Sequence, residues 1–258
     1  SIGVQSMQND KLKALGRIHG ADEASYAAQQ ATEAGLNSFN LDLMHGLPGQ
    51  SLDDALSDLK QIIALSPPHI SWYQLTIEPN TQFASKPPTL PQDETLWDIQ
   101  EQGQALLSQA GYQQYEISGY AKPGFQCQHN LNYWRFGDYL GIGCGAHGKV
   151  TDAKTGVITR TEKVKHPRGY MDIIKPYLYK SWQVEQDDLA FEFFMNRFRL
   201  TEPCPIEDYS ALTNQPLQSQ QAALNKAINT GLLIEKDGHW QVSLKGHRFL
   251  NDLLELFV

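Results

Sequence analysis

Cysteine is scarce in this 258-residue chain and scattered: Cys127, Cys144 and Cys204 lie 17 and 60 residues apart. Those spacings match no compact zinc or cluster motif. An odd count without a secretion signal points to a reducing, cytoplasmic compartment. No apolar run approaches the ~20 residues of a membrane span, and mean hydropathy is −0.44, so no integral membrane segment is expected. Positive charge is also short. Lys and Arg number 21 against 29 Asp and Glu, for a net charge of −8 and a pI near 5.4. That balance argues against a nucleic-acid partner and leaves room for a small anionic ligand in a local basic pocket. An initiator methionine is missing too. The chain opens Ser1-Ile2-Gly3-Val4-Gln5 as a strand already under way, so the amino-terminal part of the natural protein is expected to be absent.

What is present reads as globular: 41% hydrophobic and 19% charged residues, enough for one large domain or a large one and a small one. Residues 2–5 and 39–44 read as strands and 21–34 as a helix stopped by Gly35. Ser51 caps a helix to about Leu65, Pro67-Pro68 breaks it, and 69–75 reads as a third strand. Strands alternating with helices over short loops predict parallel βαβ units. A long amphipathic helix is expected over 92–110 and a strand over 115–120. Residues 122–148 are rich in glycine and aromatics with little periodicity, expensive to order unless packed on something. Further on, a strand is expected at 157–160 and helices over 167–179 and 186–200. Then come helices at 206–212 and 217–230, a hairpin around Asp237-Gly238, and a last helix capped by Ser243: a winged-helix-like order without notable basic charge.

Parallel α/β proteins gather ligands at the carboxyl ends of strands. Gln5, Asp42 and the Leu75-Thr76 region fall in such places. Asp42 sits in an apolar strand and needs a hydrogen-bonding partner, either a ligand hydroxyl or a structural group such as Arg17. The loop His45-Gly46-Leu47-Pro48-Gly49-Gln50 permits close backbone approach, or is an ordinary tight turn. His129-Asn130-Leu131-Asn132-Tyr133-Trp134 combines a metal ligand, two amides and two aromatics. An imidazole there suits haem iron with aromatics along the macrocycle; the plainer reading is a structural cluster with His129 bonded to backbone. His147 poses the same choice, and Cys127 is a soft ligand without partners.

Four ordered stretches, SIGVQSMQNDKLKALGRIH, NLDLMHGLPGQ, HNLNYW and GDYLGIGCGAHG, resemble radical S-adenosylmethionine proteins related to oxygen-independent coproporphyrinogen III oxidase. Within that group the chain is most similar to the haem chaperone branch. The resemblance implies an α/β fold: a partial (β/α)6 barrel, its amino-terminal half missing here, then a helical, winged-helix-like carboxyl-terminal domain. The division would fall at 1–165 and 166–258. The cluster motif CxxxCxxC does not occur in this chain, so the 4Fe-4S ligands would lie in the missing part. By position, Gln5 and Arg17 resemble residues beside the methionine moiety of S-adenosylmethionine. Asp42 resembles the acidic residue at the ribose, Thr76 a position contacting adenine, and His147 a further cofactor contact. HNLNYW implies that His129 ligates haem iron. Cys144 stands where the family commonly has alanine. The implied function is to bind haem and deliver it to acceptor proteins. The alternative is oxidative decarboxylation of coproporphyrinogen III.

Overall fold

The structure, a computed structural model, describes residues 1–172 and 174–258. It forms two compact units, Ser1–Cys127 and Gln128–Val258. In the first, β1 (Ile2–Gln5), α1 (Asn9–Ala14), α2 (Ala21–Glu33), β2 (Asn40–His45), α3 (Leu52–Ala64) and β3 (His69–Gln74) follow one another. A short α4 (Gln82–Ser85), α5 (Asp93–Gln109), β4 (Gln113–Gln114) and β5 (Gly119–Ala121) complete it. The sheet order is β1-β2-β3-β5-β4, with β1, β2 and β3 parallel as expected and β5 antiparallel to β3.

Period-2 alternation divides this sheet by chemistry. Leu41, Leu43, Ile70 and Trp72 enter the apolar core, while half-buried Asp42, Ser71 and Tyr73 alternate with them. Ser51 caps α3 reciprocally: its hydroxyl accepts from the Asp54 amide at 3.2 Å and Asp54 accepts from the Ser51 amide at 3.0 Å. Gly103 on α5 permits a very close approach, since a Cβ there would lie 1.9 Å from the Trp72 ring.

Of the strand expected over 115–120 only Gly119 and Tyr120 are extended, in β5; residues 115–118 form the turn between β4 and β5. The Tyr115 amide donates to the Gly119 carbonyl at 3.1 Å, and the Glu116 carboxylate accepts from the Ser118 amide at 3.1 Å. These local bonds compete with the extended ladder. Sequence reading also passed over α1, a single short helix with no buried stripe long enough to register a period.

The second unit contains α6 (Gln128–Trp134), β6 (His147–Thr151), β7 (Ile158–Lys163), α7 (Pro167–Tyr170), β8 (Leu178–Gln183), α8 (Leu189–Arg197) and β9 (Cys204–Pro205). After these come α9 (Ile206–Thr213), α10 (Gln221–Asn229), β10 (Leu233–Lys236), β11 (His239–Val242), α11 (Leu244–Arg248) and α12 (Leu250–Leu254). The helix expected over 167–179 is not found. It is one turn, α7, and Leu178 already begins β8, which pairs antiparallel with β7. Gly169 and Pro176 weaken a helix there, and the β7 edge offers a ladder instead; Ile173, inside that range, lies outside the described residues. The antiparallel sheet β6-β7-β8 spans position 165, so the division expected after that residue falls inside this unit. An aromatic core of Phe193, Phe194, Phe198, Tyr209, Trp240 and Phe257 joins α8 to α9, to the β10-β11-β9 sheet and to the carboxyl-terminal turn.

Candidate functional site

At the end of β1 the chain does something costly. Gln5 is buried and holds φ 69°, in the left-handed region that non-glycine residues avoid. The next turn over-determines it. The buried Asp58 carboxylate on α3 accepts from the Ser6 hydroxyl at 2.6 Å, the Met7 amide at 3.1 Å and the Gln8 side chain at 3.2 Å. Burial raises the Asp58 pKa despite these donors. The twist lays the Gln5 carboxamide over Gly3, where a Cβ would meet Nε2 at 2.9 Å. Its Oε1 accepts from the Tyr73 hydroxyl at 2.9 Å. With the carbonyl so occupied, the free amide hydrogens are the groups Gln5 presents.

Asp42 is half-buried two residues into β2, in register with Gly3 on one side and Ser71 on the other. Its structural partner is not the anticipated Arg17. Asn40 donates to Oδ1 at 2.8 Å and the Ser1 hydroxyl to Oδ2 at 2.7 Å. Asn40 is itself oriented from behind: its Oδ1 lies 2.7 Å from His69 Nδ1 and accepts from the Ser71 hydroxyl at 3.1 Å. His69 Nε2 meets the Tyr115 hydroxyl at 2.8 Å. Burial holds His69 neutral, with its pKa lowered to about 4. A neutral ring donating from Nδ1 and accepting at Nε2 satisfies the whole chain Tyr115-His69-Asn40-Asp42.

Tyr73 is the residue sequence reading missed. Burial and the Asp42 carboxylate push its hydroxyl pKa up, and the Arg17 guanidinium pulls it back. One ring therefore feels Asp42 and Arg17 while bonding Gln5. Its alternation with Trp72 on β3 was the signal that marked it as facing away from the core. Arg17 and Thr76 are exposed; the Thr76 hydroxyl donates to Glu78 at 3.0 Å just beyond β3. An amide donor and a carboxylate acceptor on one polar face, with an arginine in electrostatic range, suit a ligand carrying both hydroxyls and a carboxylate. The loop 45–50 behaves as a fixed turn. Leu47 is fully buried, Gln50 accepts from its amide at 3.1 Å, and Lys11 donates to the Gly49 carbonyl at 3.0 Å.

The remaining two candidates belong to the second unit. His147 opens β6, exposed and paired in register with Glu162. His129 stands exposed in the first turn of α6, and among the described residues no bond ties its ring to backbone. The rest of α6 is well held. Leu131 is buried, and Arg135 grips Glu202 through two bonds of 2.8 and 2.7 Å. Tyr133, one turn after His129 and on its face of the helix, packs edge-on against Trp134 at 4.7 Å and at a tilt against Tyr139 at 5.1 Å. A rigid aromatic helix with a free imidazole is an arrangement able to ligate a metal at the centre of a flat molecule. The cysteines offer no such convergence. Cys144 is exposed, and Cys127 is half-buried at the end of the other unit. Cys204 is buried, its thiol pKa raised by burial. Among the described residues no three His, Cys, Asp or Glu side chains group as a metal site.

Residues 184–249 match the family model of the HemN C-terminal domain. Over its whole length the chain is 61% identical to heme chaperone HemW of Escherichia coli (strain K12), covering 68% of that protein. It is 59% identical to heme chaperone HemW of Haemophilus influenzae, covering 67%. Among solved structures, the radical SAM enzyme coproporphyrinogen III oxidase (HemN) of Escherichia coli superposes on 99% of this chain and 62% of its own, with a TM-score of 0.78. At 19% identity that likeness speaks for the fold alone. Identity of 61% over this whole chain, covering 68% of that chaperone, settles the lineage: the chain belongs to the HemW heme chaperone family.

Proposed function

We propose that this chain is the haem-holding part of a cytoplasmic haem chaperone, in which His129 ligates the iron and Tyr133 and Trp134 flank the macrocycle before transfer to an acceptor protein. The observation that carries this reading is the exposed, unbonded imidazole on an otherwise immobilised aromatic helix. A structural histidine would be tied down; a ligand must be free to bind. Delivery also needs an accessible site, because a buried ligand exchanges slowly.

In the same reading the first unit is the carboxyl-side part of a partial (β/α)6 radical-SAM barrel, followed by the winged-helix-like domain. Its polar face would hold S-adenosylmethionine. The Gln5 amide and Arg17 would take the methionyl carboxylate, Asp42 the ribose hydroxyls, and Thr76 the adenine edge. The donor set fits: Gln5 has its carbonyl occupied and its amide hydrogens free, and Asp42 retains acceptor capacity beyond Asn40 and Ser1. Bound S-adenosylmethionine supplies an activated sulfonium; Gln5, Arg17 and Asp42 orient it and exclude competing poses. The three cysteines of this chain do not fit a 4Fe-4S cluster.

The test is haem titration of the full-length protein. His129→Ala should abolish the histidine-ligated absorption spectrum and weaken binding, whereas His147→Ala should leave the spectrum unchanged. An unaltered spectrum in His129→Ala overturns the assignment. The oxidase alternative makes its own demand, turnover of coproporphyrinogen III under reducing, anaerobic conditions, which a chaperone does not meet.

A further inference from the structure

Two groups beside α6 remain unexplained. Arg199 follows α8, its amide donating to the Asn196 carbonyl at 3.2 Å, and its guanidinium lies 4.5 Å from the centre of the Trp134 ring. The other arginines around it are matched with acid. Arg135 holds Glu202, Arg160 holds Glu192, and Arg197 holds Glu202 and Asp208. Arg199 lies over an indole instead. Both its Nε and Trp134 Nε1 are buried donors without an acceptor among the described residues. Leaving such a donor unmet costs about 1–3 kcal/mol, more for a charged group. Two of them on side chains in contact, both donors and neither an acceptor, call for an anion. A guanidinium stacked by its face on an aromatic ring keeps its edge for a planar partner, which is how arginine presents a fork to a carboxylate.

We propose that Arg199 and Trp134 form a carboxylate subsite that takes an ionised propionate at the rim of the porphyrin. The subsite rests on the reading of His129 as the iron ligand. The iron sits at the centre of the macrocycle and the carboxylates at its edge. Tyr133 shares the His129 face of α6, and the Trp134 ring is in edge contact with Tyr133. A donor pair one aromatic ring removed from the histidine face therefore suits the periphery, not the centre. The subsite also gives a chaperone directionality. A porphyrin gripped by one rim carboxylate and one axial bond leaves its opposite edge for an acceptor protein to seize.

The experiment compares two ligands in the full-length protein: haem, and haem dimethyl ester, in which both carboxylates are blocked. Arg199→Gln should weaken haem about tenfold or more and leave the diester unchanged. Trp134→Phe keeps the ring, loses the N–H, and should show the same selectivity to a smaller degree. Arg199→Lys, which retains charge without the fork, should fall between. Equal losses for the two ligands would reduce the pair to packing, and no loss for either would remove it from the site; each overturns the subsite. Failure of the underlying haem reading is distinguishable, because then His129→Ala would leave the haem spectrum of the wild-type background unaltered.

Discussion

Asp42 and Gln5 show how much of a side chain's orientation is set by the neighbours around it: Asn40 and Ser1 for the one, Tyr73 for the other. Asp42→Asn keeps volume and removes a charge-assisted acceptor, so S-adenosylmethionine affinity of the full-length protein should fall about ten- to a hundredfold with the melting temperature little changed. Isothermal titration beside a thermal melt checks both halves. Tyr73→Phe should act through Gln5: the freed carboxamide loses its fixed orientation, and affinity drops by a smaller factor without loss of fold. Asp58→Ala is a different case. It strands the Ser6 hydroxyl and the Met7 amide and releases the turn that holds Gln5 at φ 69°. It should cost stability, on the order of 3 kcal/mol in a urea melt, as well as affinity.

Elements in the first unit meet at close quarters, and two predictions belong to that scale. Alanine is ordinarily the better helix former than glycine by about 1 kcal/mol, yet Gly103→Ala should destabilise. Its methyl would have to displace the Trp72 ring, and overpacking of this kind costs about 1–3 kcal/mol. A denaturant midpoint higher than wild type would contradict the packing of α5 on β3. The strands also carry a pH dependence. His45, against the Trp72 ring at 4.4 Å, and His69, within the Asn40 network, are buried, with pKa values lowered to about 4 from 6.5. Between those values the unfolded chain binds more protons than the folded one, so stability falls as pH drops from 6.5 towards 4. At about pH 4 the two together remove several kcal/mol, on the order of 3 each. Urea melts across this range should show the loss, and His45→Gln or His69→Gln should each flatten the slope.

The cysteines of the whole chain differ in setting: Cys127 is half-buried in the first unit, and in the second Cys144 is exposed while Cys204 receives an Arg197 Nε–H at 3.1 Å in the aromatic core. Anaerobic reconstitution of these 258 residues with iron and sulfide should yield no stoichiometric 4Fe-4S absorption. A stable cluster held by these cysteines would refute the prediction. At this scale the molecule also separates its two chemistries. The polar sheet face lies in the first unit, and the aromatic helix with its imidazole lies in the second.

The features legible in the amino-acid sequence were those with short range. Alternation over 2–5, 39–44 and 69–75 marks the parallel strands, Ser51 and Asp54 close their own cap, and HNLNYW carries its histidine and aromatics within two helical turns. Each depends on residues a few positions apart, where propensity and periodicity act directly. What escaped was decided by pairing across the chain. Asn40, not Arg17, serves Asp42, because the strand register brings His69 and Ser71 beside β2. The segment at 178–183 became a strand because β7 offered it an edge, and Gln5 took a strained turn because Asp58, on α3, reached back to secure it. Such contacts become available only after distant segments have met, and the free energy that selects them is the cost of leaving buried donors and acceptors unpaired.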